Sequence, residues 1–307
     1  MSNVDEVTET PSAPRRAPWR FPWVQAVATI AILAGVAIAL YPQTAAWFTQ
    51  KNQSRVIENS VTVVDGGASS RHEQLVRAGS YNDVLASGAQ LGANANLPAS
   101  VGQSSSTEFL YDDLLVASDE GVMGRLRYNN LGIDLPIYHG TSDETLLKGV
   151  GHLEGTSLPV GGADSRAVLT AHRGLATATM FDNLDRAKVG DTFVVEVLGE
   201  VLTYRVRDTK VIEPDQTEML MFEPGQDLVT LVTCTPLGIN TQRILVTGER
   251  VTPTPIADLT AGGAPSELPG FPWWAVVMGI TLTASGGYLW WSGYPARAKT
   301  SADVIRS

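Results

Sequence analysis

Three side chains with complementary chemistry, Cys234, His172 and Arg243, each lie beside a strand-like run of the sequence. Cys234 is the only cysteine among 307 residues, and it follows the apolar, β-branched run 228–233. Arg243 opens a second such run, residues 243–247, and His172 follows a short apolar run. At a common sheet edge, a thiolate could attack a carbonyl, an imidazole could protonate a leaving amine, and a guanidinium could hold an oxyanion.

Each of these residues has a simpler interpretation or a rival. A lone cysteine is often a small buried hydrophobic residue, and an arginine at a strand end can be an exposed charge. His152 is the main rival for the acid and base role, although His152 and His139 occur in glycine-rich, loop-like contexts. His72 precedes the β-rich region, and Arg173 competes with Arg243 through its position next to His172.

Composition excludes several function classes. The formal net charge is −10, and no segment carries a basic stripe, so we expect no nucleic-acid partner. We expect no metal site, because neither histidine pairs nor cysteine pairs fall at ligand spacing. We expect no cofactor, because the Gly-Gly pairs at 66–67 and 161–162 lack the context of a phosphate-binding loop. One cysteine allows no internal disulfide.

The elements that must position the three residues are mostly short strands. Residues 192–198 and 201–206 flank Gly199-Glu200, which predicts a β-hairpin. Short helices are predicted for Ser142–Gly149, with Ser142 as N-cap, and for Thr179–Lys188. Several short strands with few helices indicate a closed or nearly closed β-barrel.

Two apolar runs, residues 21–41 and 271–291, are long enough to cross a bilayer. A cleaved signal peptide is the alternative for the first run, but its length and its aromatic ends favour an uncleaved anchor. Cationic residues flank the two runs on their outer sides, which predicts that both termini are cytoplasmic and residues 42–270 are exterior. These cations are Arg15, Arg16, Arg20, Arg297, Lys299 and Arg306.

Long, ordered motifs then identify a family resemblance. They are LPIYHGTSDETLLKGVGHLEGTSLPVGG (135–162), VLTAHRG (168–174) and LVTCTPLGINTQRILVTGER (231–250). Thr230-Leu231-Val232-Thr233-Cys234, followed by an arginine and preceded by TAHRG, resembles the sortase family of cysteine transpeptidases, and class C, pilin-polymerising sortases in particular. The resemblance extends from about Gly124 to Val251. It implies an eight-stranded β-barrel with Cys234 as nucleophile, His172 as general acid and base, and Arg243 as the third catalytic residue.

The resemblance completes the expected domain organisation, a mostly β protein whose sortase-like barrel follows a helical and lid extension and is flanked by two transmembrane helices. Class C sortases carry a lid over the catalytic cleft, usually with an Asp-Pro-aromatic motif. Residues 86–107 hold the corresponding position but contain no such motif, and Leu97-Pro98 is the nearest fragment. The expected segments are a cytoplasmic tail (1–20), a transmembrane helix (21–41), a helical stalk and lid (42–107), the barrel (108–255), a linker (256–270), a second transmembrane helix (271–291) and a second tail (292–307).

The implied function is a membrane-anchored transpeptidase that cleaves an LPxTG-like sorting signal between Thr and Gly and transfers the acyl group to a pilin lysine. The implied partners are therefore pilin subunits and the lipid bilayer. Three alternatives remain: a housekeeping sortase that uses a peptidoglycan amine, a cysteine hydrolase, and a membrane-held module that binds sorting signals without turnover.

Overall fold

The computed structural model describes residues 18–64, 68–85, 90–91, 98–100, 110–116 and 121–294. The chain divides into two compact units, residues 1–41 with 273–307, and residues 42–272. Cys234, His172 and Arg243 all belong to the second unit.

Five α-helices occur in the described part of the chain. The first is continuous through the boundary expected at residue 41, with Pro42 inside it. The helix predicted for Ser142–Gly149 forms, and the Ser142 hydroxyl caps it by accepting a hydrogen bond from the Thr145 amide at 3.2 Å. The bounds are α1 (Trp23–Val64), α2 (Ala68–Val84), α3 (Asp143–Lys148), α4 (Ile256–Thr260) and α5 (Trp273–Ser292).

The helix predicted for Thr179–Lys188 is wrong. Only a single 3-10 turn, Leu184–Arg186, forms there. The Phe181 amide donates to the His172 carbonyl at 3.0 Å, so the first part of this segment pairs with His172, and helical bonds are confined to the 3-10 turn.

The described residues contain ten strands, and the last eight along the chain form the barrel. A two-stranded pairing precedes it, with Gln90 opposite Ser100. The bounds are β1 (Gln90–Leu91), β2 (Pro98–Ser100), β3 (Val122–Tyr128), β4 (Ile133–His139), β5 (Val150–His152), β6 (Ser165–Thr170), β7 (Thr192–Val197), β8 (Glu200–Ile212), β9 (Asp227–Thr235) and β10 (Gln242–Arg250).

The eight-stranded barrel is closed, in the order β10-β8-β7-β3-β4-β5-β6-β9. This confirms the expected fold class. The pairs β4–β5 and β6–β9 are parallel and the others are antiparallel. The predicted hairpin forms between β7 and β8, where Leu198 and Gly199 have φ angles of 48° and 89°, as a tight two-residue turn requires.

Apolar side chains are buried on both faces of the wall that contains β9. Val229 and Leu231 point into the main core, which fills the barrel. Val232, one position later, belongs to a second apolar cluster on the outer face. That outer cluster contains Leu153, Val168, Ile212, Leu220, Val232 and Leu245.

The N-terminal part of α1 has the character of a membrane span. Its stretch Trp23–Ser60 contains an 18-residue window with a mean hydropathy of 2.2, and only 11% of that window is buried, unlike a helix in a soluble core. It is the only stretch in the described residues with both this length and this hydropathy. α5 has 20 residues without an acidic or basic side chain, but its tryptophans and glycines lower its hydropathy.

The segment after the barrel, residues 256–270, is held against the outer face of β3, β4 and β7. Arg125 donates from Nη1 to the Ala264 carbonyl at 2.7 Å, and Arg127 donates from Nη1 to the Ala261 carbonyl at 2.8 Å. The Gly263 amide donates to Glu196 Oε2 at 3.1 Å. Arg125, Arg127 and Glu196 are all buried, so this contact satisfies charges that would otherwise be costly.

The stalk predicted before the barrel is helical, in the second half of α1 and in α2. Most of the expected lid, residues 86–107, lies outside the described residues, with only β1 and β2 described. The cationic residues Arg15, Arg16, Arg297, Lys299 and Arg306 also lie outside the described residues.

Candidate active site

Cys234 and Arg243 are direct partners in the antiparallel ladder between β9 and β10. Cys234 is the last residue but one of β9 and is partly exposed, and Arg243 is the second residue of β10 and is 8% exposed. Cys234 is two positions beyond Val232, so the alternation of a strand directs its thiol to the outer face of the barrel. A substrate on that face can reach the sulfur.

His172 reaches the same edge through the parallel pairing of β6 with β9. The last registered pair of that ladder is Thr170 with Val232, and the Ala171 amide donates to the Val232 carbonyl at 3.2 Å. His172 and Cys234 are each two residues beyond that pair. The three sequence-predicted site residues thus lie at adjacent strand ends, in the order β6, β9, β10.

His172 is half-buried, whereas His152 is fully buried. Burial lowers the pKa of its imidazole, and the carboxylate of Asp143 in α3 opposes that shift. A lowered pKa favours the neutral ring at neutral pH, which is the form that can accept a proton.

The Arg243 guanidinium is oriented by the turn between β9 and β10. Its Nη1 donates to the Asn240 carbonyl at 2.9 Å and to the Gln242 carbonyl at 3.0 Å. Asn240 has a φ of 59°, in the left-handed region that asparagine tolerates better than most residues. Within the described residues, Nε and Nη2 have no hydrogen-bond partner, so these two groups can donate hydrogen bonds to a carbonyl oxygen that becomes negative.

His152, the rival of His172, is fully buried and has both ring nitrogens in hydrogen bonds. Nε2 lies 2.9 Å from the Ser157 carbonyl, which can only accept, so Nε2 carries the proton. Nδ1 then accepts from the Tyr111 hydroxyl at 2.8 Å. Burial lowers the pKa of His152 to about 4. A ring in this environment is a structural hydrogen-bonding group, and it has no access to a peptide.

Neither of the other two histidines, His139 and His72, occupies a position like that of His172. His139 Nε2 is 2.6 Å from the Leu114 carbonyl, and His72 is exposed on α2.

Arg173 is the rival of Arg243, and all three nitrogens of its guanidinium bind protein acceptors. Nη2 forms an ion pair with Asp185 Oδ2 at 2.8 Å, and the arginine side chain is 8% exposed. Nε donates to the Asp182 carbonyl at 3.2 Å, and Nη1 donates to Thr235 Oγ1 at 3.2 Å. Its donors are therefore committed to protein acceptors.

Sequence reasoning missed Tyr111. Its hydroxyl accepts from the Gly140 amide at 3.0 Å as well as donating to His152, and burial raises its pKa. Leu114 and Leu115 follow it into the main core. A lone tyrosine in a polar stretch has no periodic signal; only the buried leucines that follow it could have indicated that this segment is fixed to the barrel.

The outer apolar cluster lies on the same face as Cys234 and adjoins it. Val232 and Leu245 are the outward neighbours of Cys234 and Arg243 along their strands, and Leu220 covers them from the 3-10 turn Thr217–Leu220. The members of this cluster are at most 6% exposed, so they stabilise the part of the barrel wall that carries Cys234 and Arg243.

Comparisons with known proteins agree with this geometry. The family model for the sortase domain matches residues 126–251. The crystal structure of sortase C-1 from Actinomyces oris is 44% identical, covers 60% of this chain and 99% of its own, and has a TM-score of 0.53. A Streptococcus pneumoniae sortase C, whose structure is described in terms of catalysis and pilin substrate specificity, is 36% identical, covers 64% and 95%, and has a TM-score of 0.54.

Among curated proteins, Sortase D of Bacillus subtilis (strain 168) is 29% identical over 132 residues, which is 42% of this chain. The chain spans 64% of the length of that relative. The closed barrel, the full coverage of the class C structures and the match of the family model agree, and the chain belongs to the sortase family.

Proposed function

We propose that this chain is a cysteine transpeptidase that cleaves an LPxTG-like sorting signal between Thr and Gly. The observation that carries the proposal is the meeting of Cys234, His172 and Arg243 at three adjacent strand ends. The partly exposed thiol lies on the outer face of the barrel, where a peptide can reach it.

In the first half-reaction, Cys234 is the nucleophile. Its thiol gives a proton to His172, and the sulfur attacks the threonine carbonyl of the signal. Arg243 holds the oxygen while it carries negative charge. His172 then protonates the glycine nitrogen, the C–N bond breaks, and a thioester between the signal and Cys234 remains.

In the second half-reaction, an amine resolves the thioester. A neutral lysine amine attacks the carbonyl carbon, His172 takes its proton, and the Cys234 thiolate leaves. The product is an isopeptide bond. We assign a pilin lysine as the acceptor because the similar solved structures are class C sortases and one of them is described in terms of pilin substrate specificity.

Product analysis tests the reaction class. The full chain in detergent is mixed with an LPxTG peptide and hydroxylamine, which competes with water for the thioester. A hydroxamate product supports a transpeptidase, acid product alone indicates a hydrolase, and no turnover indicates a binding module. Replacing hydroxylamine by a lysine-containing pilin fragment or by a peptidoglycan amine then separates the pilin assignment from the housekeeping one.

We further propose that the chain is a two-span membrane protein with both termini in the cytoplasm and the barrel outside. The apolar part of α1 supports the first span, and α5, with tryptophans at both of its ends, supports the second. Trp19 Nε1 donates to the Trp290 carbonyl at 3.1 Å, so the N-terminal end of α1 and the C-terminal end of α5 lie side by side.

Thiol labelling tests this topology in a Cys234→Ala background, which removes the native thiol. Single cysteines replace Ser12, Ser301 and, as an exposed control on the barrel, Glu200. On intact cells, a membrane-impermeant reagent should label the Glu200 position only. Labelling at position 12 or 301 would contradict the two-span arrangement.

A further inference from the structure

The residues on either side of Cys234 form hydrogen bonds with the residues on either side of His172. Thr233 Oγ1 donates to the Ala171 carbonyl at 2.7 Å. Thr235 Oγ1 accepts from Arg173 Nη1 at 3.2 Å. We call these four residues, Ala171, Arg173, Thr233 and Thr235, the bracket.

The second of these bonds lies where the backbone ladder has ended. The last registered β6–β9 pair is Thr170 with Val232, and the Ala171 amide makes the last backbone bond between the two segments in the described residues. Beyond it no registered pair joins the two segments, and Gly174 has a φ of 79°. The Arg173–Thr235 hydrogen bond therefore joins two segments that no longer share a ladder.

Arg173 is itself fixed by the loop that follows His172. Asp185 and the Asp182 carbonyl hold the guanidinium, and the Gly174 amide donates to Asp182 Oδ1 at 2.6 Å. Because the arginine is almost fully buried and ion-paired, it has a defined position from which to hold Thr235.

We propose that Arg173 and Thr235 are positioning residues that fix the separation of the Cys234 thiol and the His172 imidazole. The proposal rests on the proposed function, because it assigns a task to neighbours of the proposed nucleophile and base. A shift of about 1 Å between reacting groups can cost about 100-fold in rate, and one hydrogen bond at the end of a strand can prevent such a shift.

Thr235→Val tests the proposal, because it removes the hydroxyl and keeps the branched shape. We expect kcat for the sorting-signal peptide to fall by about tenfold to 100-fold, with KM nearly unchanged, since the substrate surfaces stay in place. The rate of Cys234 alkylation by iodoacetamide at neutral pH should fall, because a misplaced imidazole takes the thiol proton less readily. Thr235→Ser keeps the hydroxyl and should restore both values.

The charged groups around this thiol must stay constant in the comparison. They are His172, Arg173 with its partner Asp185, Arg243 opposite Cys234, and Asp143, which acts on His172. Thr235→Val changes none of them. Arg173→Met removes this hydrogen bond together with the ion pair to Asp185, so adding Thr235→Val to it should cause little further loss.

Thr203→Val is the matched control. Thr203 lies on strand β8, outside the proposed site, and its hydroxyl donates to Asp258 Oδ2 at 2.7 Å. This variant should therefore lose some thermal stability and keep the alkylation rate and kcat. If Thr235→Val behaves like Thr203→Val, the bracket is only structural and the proposal is overturned. A wild-type chain that turns over no sorting-signal peptide contradicts the proposed function instead, and the alkylation rates still decide whether the bracket positions the thiol.

Discussion

Cys234 and Arg243 face each other as a directly opposed pair in the β9–β10 ladder. This pairing fixes the backbone of Arg243 next to that of Cys234, and the Asn240 and Gln242 carbonyls restrain Nη1 of the guanidinium. Arg243 is therefore preorganised before substrate arrives, and preorganised donors are the most effective form of oxyanion stabilisation.

Removal of this guanidinium should lower kcat more than it raises KM. We expect Arg243→Ala to lose about 10²–10³-fold in kcat, because the lost interaction belongs to the transition state. Arg243→Lys keeps the charge but loses the fork, so it should recover only part of the rate. Steady-state kinetics on the sorting-signal peptide measure both. An Arg243→Ala enzyme with full kcat would show that this arginine is only a strand-end charge.

Loss of His172 should be as severe as loss of Cys234, because the two groups act as one unit. We expect His172→Ala to lose at least about 10²-fold in kcat for hydroxamate formation. His72→Ala is the control, since His72 is exposed on α2, and it should keep the wild-type rate. If His172→Ala were active, another group would have to serve as the acid and base.

Much of this arrangement follows from the sequence, and the reason differs between the residues. Cys234 and Arg243 lie nine positions apart on two apolar runs, so a tight antiparallel connection was readable from the local pattern. The position of His172 depends on parallel pairing with a strand some sixty residues later, which periodicity does not encode. Only the resemblance to sortases implied that His172 lies beside Cys234.

Other features had no local signal or a misleading one. The segment 179–188 has a helical pattern, but the Phe181 amide binds the His172 carbonyl, and this tertiary bond overrides the local preference. The bond between Arg173 and Thr235 also joins distant positions, so neither side chain could be assigned a partner in advance. Tyr111 is fixed by its contacts with His152 and Gly140, which the polar sequence around it does not indicate.

The buried His152 should make stability depend on pH. Its pKa in the folded chain is about 4, below the ordinary value of 6.5. The unfolded chain therefore takes up a proton first as the pH falls from about 6.5 to 4, and the free energy of unfolding should decrease by about 3 kcal/mol over that window. Above pH 6.5 the ring is neutral in both states, and this contribution to stability is complete.

His152→Gln removes the titrating group and keeps a polar side chain. The difference in unfolding free energy between wild type and this variant should shrink as the pH falls from 7 to 4, when measured by urea unfolding of the detergent-solubilised chain. Other titrating groups are common to both proteins and cancel in the comparison. A difference that stays constant with pH would contradict a buried, neutral His152.

Disruption of the buried ion pair between Arg125 and Asp134 should destabilise the barrel strongly. Two hydrogen bonds of 2.6 and 2.7 Å join the pair, and Asp134 Oδ2 also accepts from Ser266 in the segment after the barrel. Asp134→Asn leaves the buried guanidinium with only the more distant Glu196 carboxylate, 3.7 Å from Nη1, and loss of one partner of a buried pair costs up to about 3–5 kcal/mol. Urea unfolding measures this loss.

An exposed ion pair supplies the control for that measurement. Lys148 and Glu144 form an i,i+4 contact of 2.7 Å on α3, with both side chains largely exposed. Glu144→Gln should therefore change the free energy of unfolding little. Equal effects of the two substitutions would mean that burial does not govern the strength of the Arg125–Asp134 pair.

The most direct test of the central claim is intact-protein mass spectrometry of the acyl-enzyme. The full chain is mixed with an LPxTG peptide without an added amine, quenched in acid, and digested to locate the adduct. The account predicts that the peptide fragment ending in threonine is attached to Cys234 as a thioester, that hydroxylamine removes it, and that Cys234→Ala carries none. An adduct on another residue, or peptide cleavage by Cys234→Ala at the wild-type rate, would contradict it.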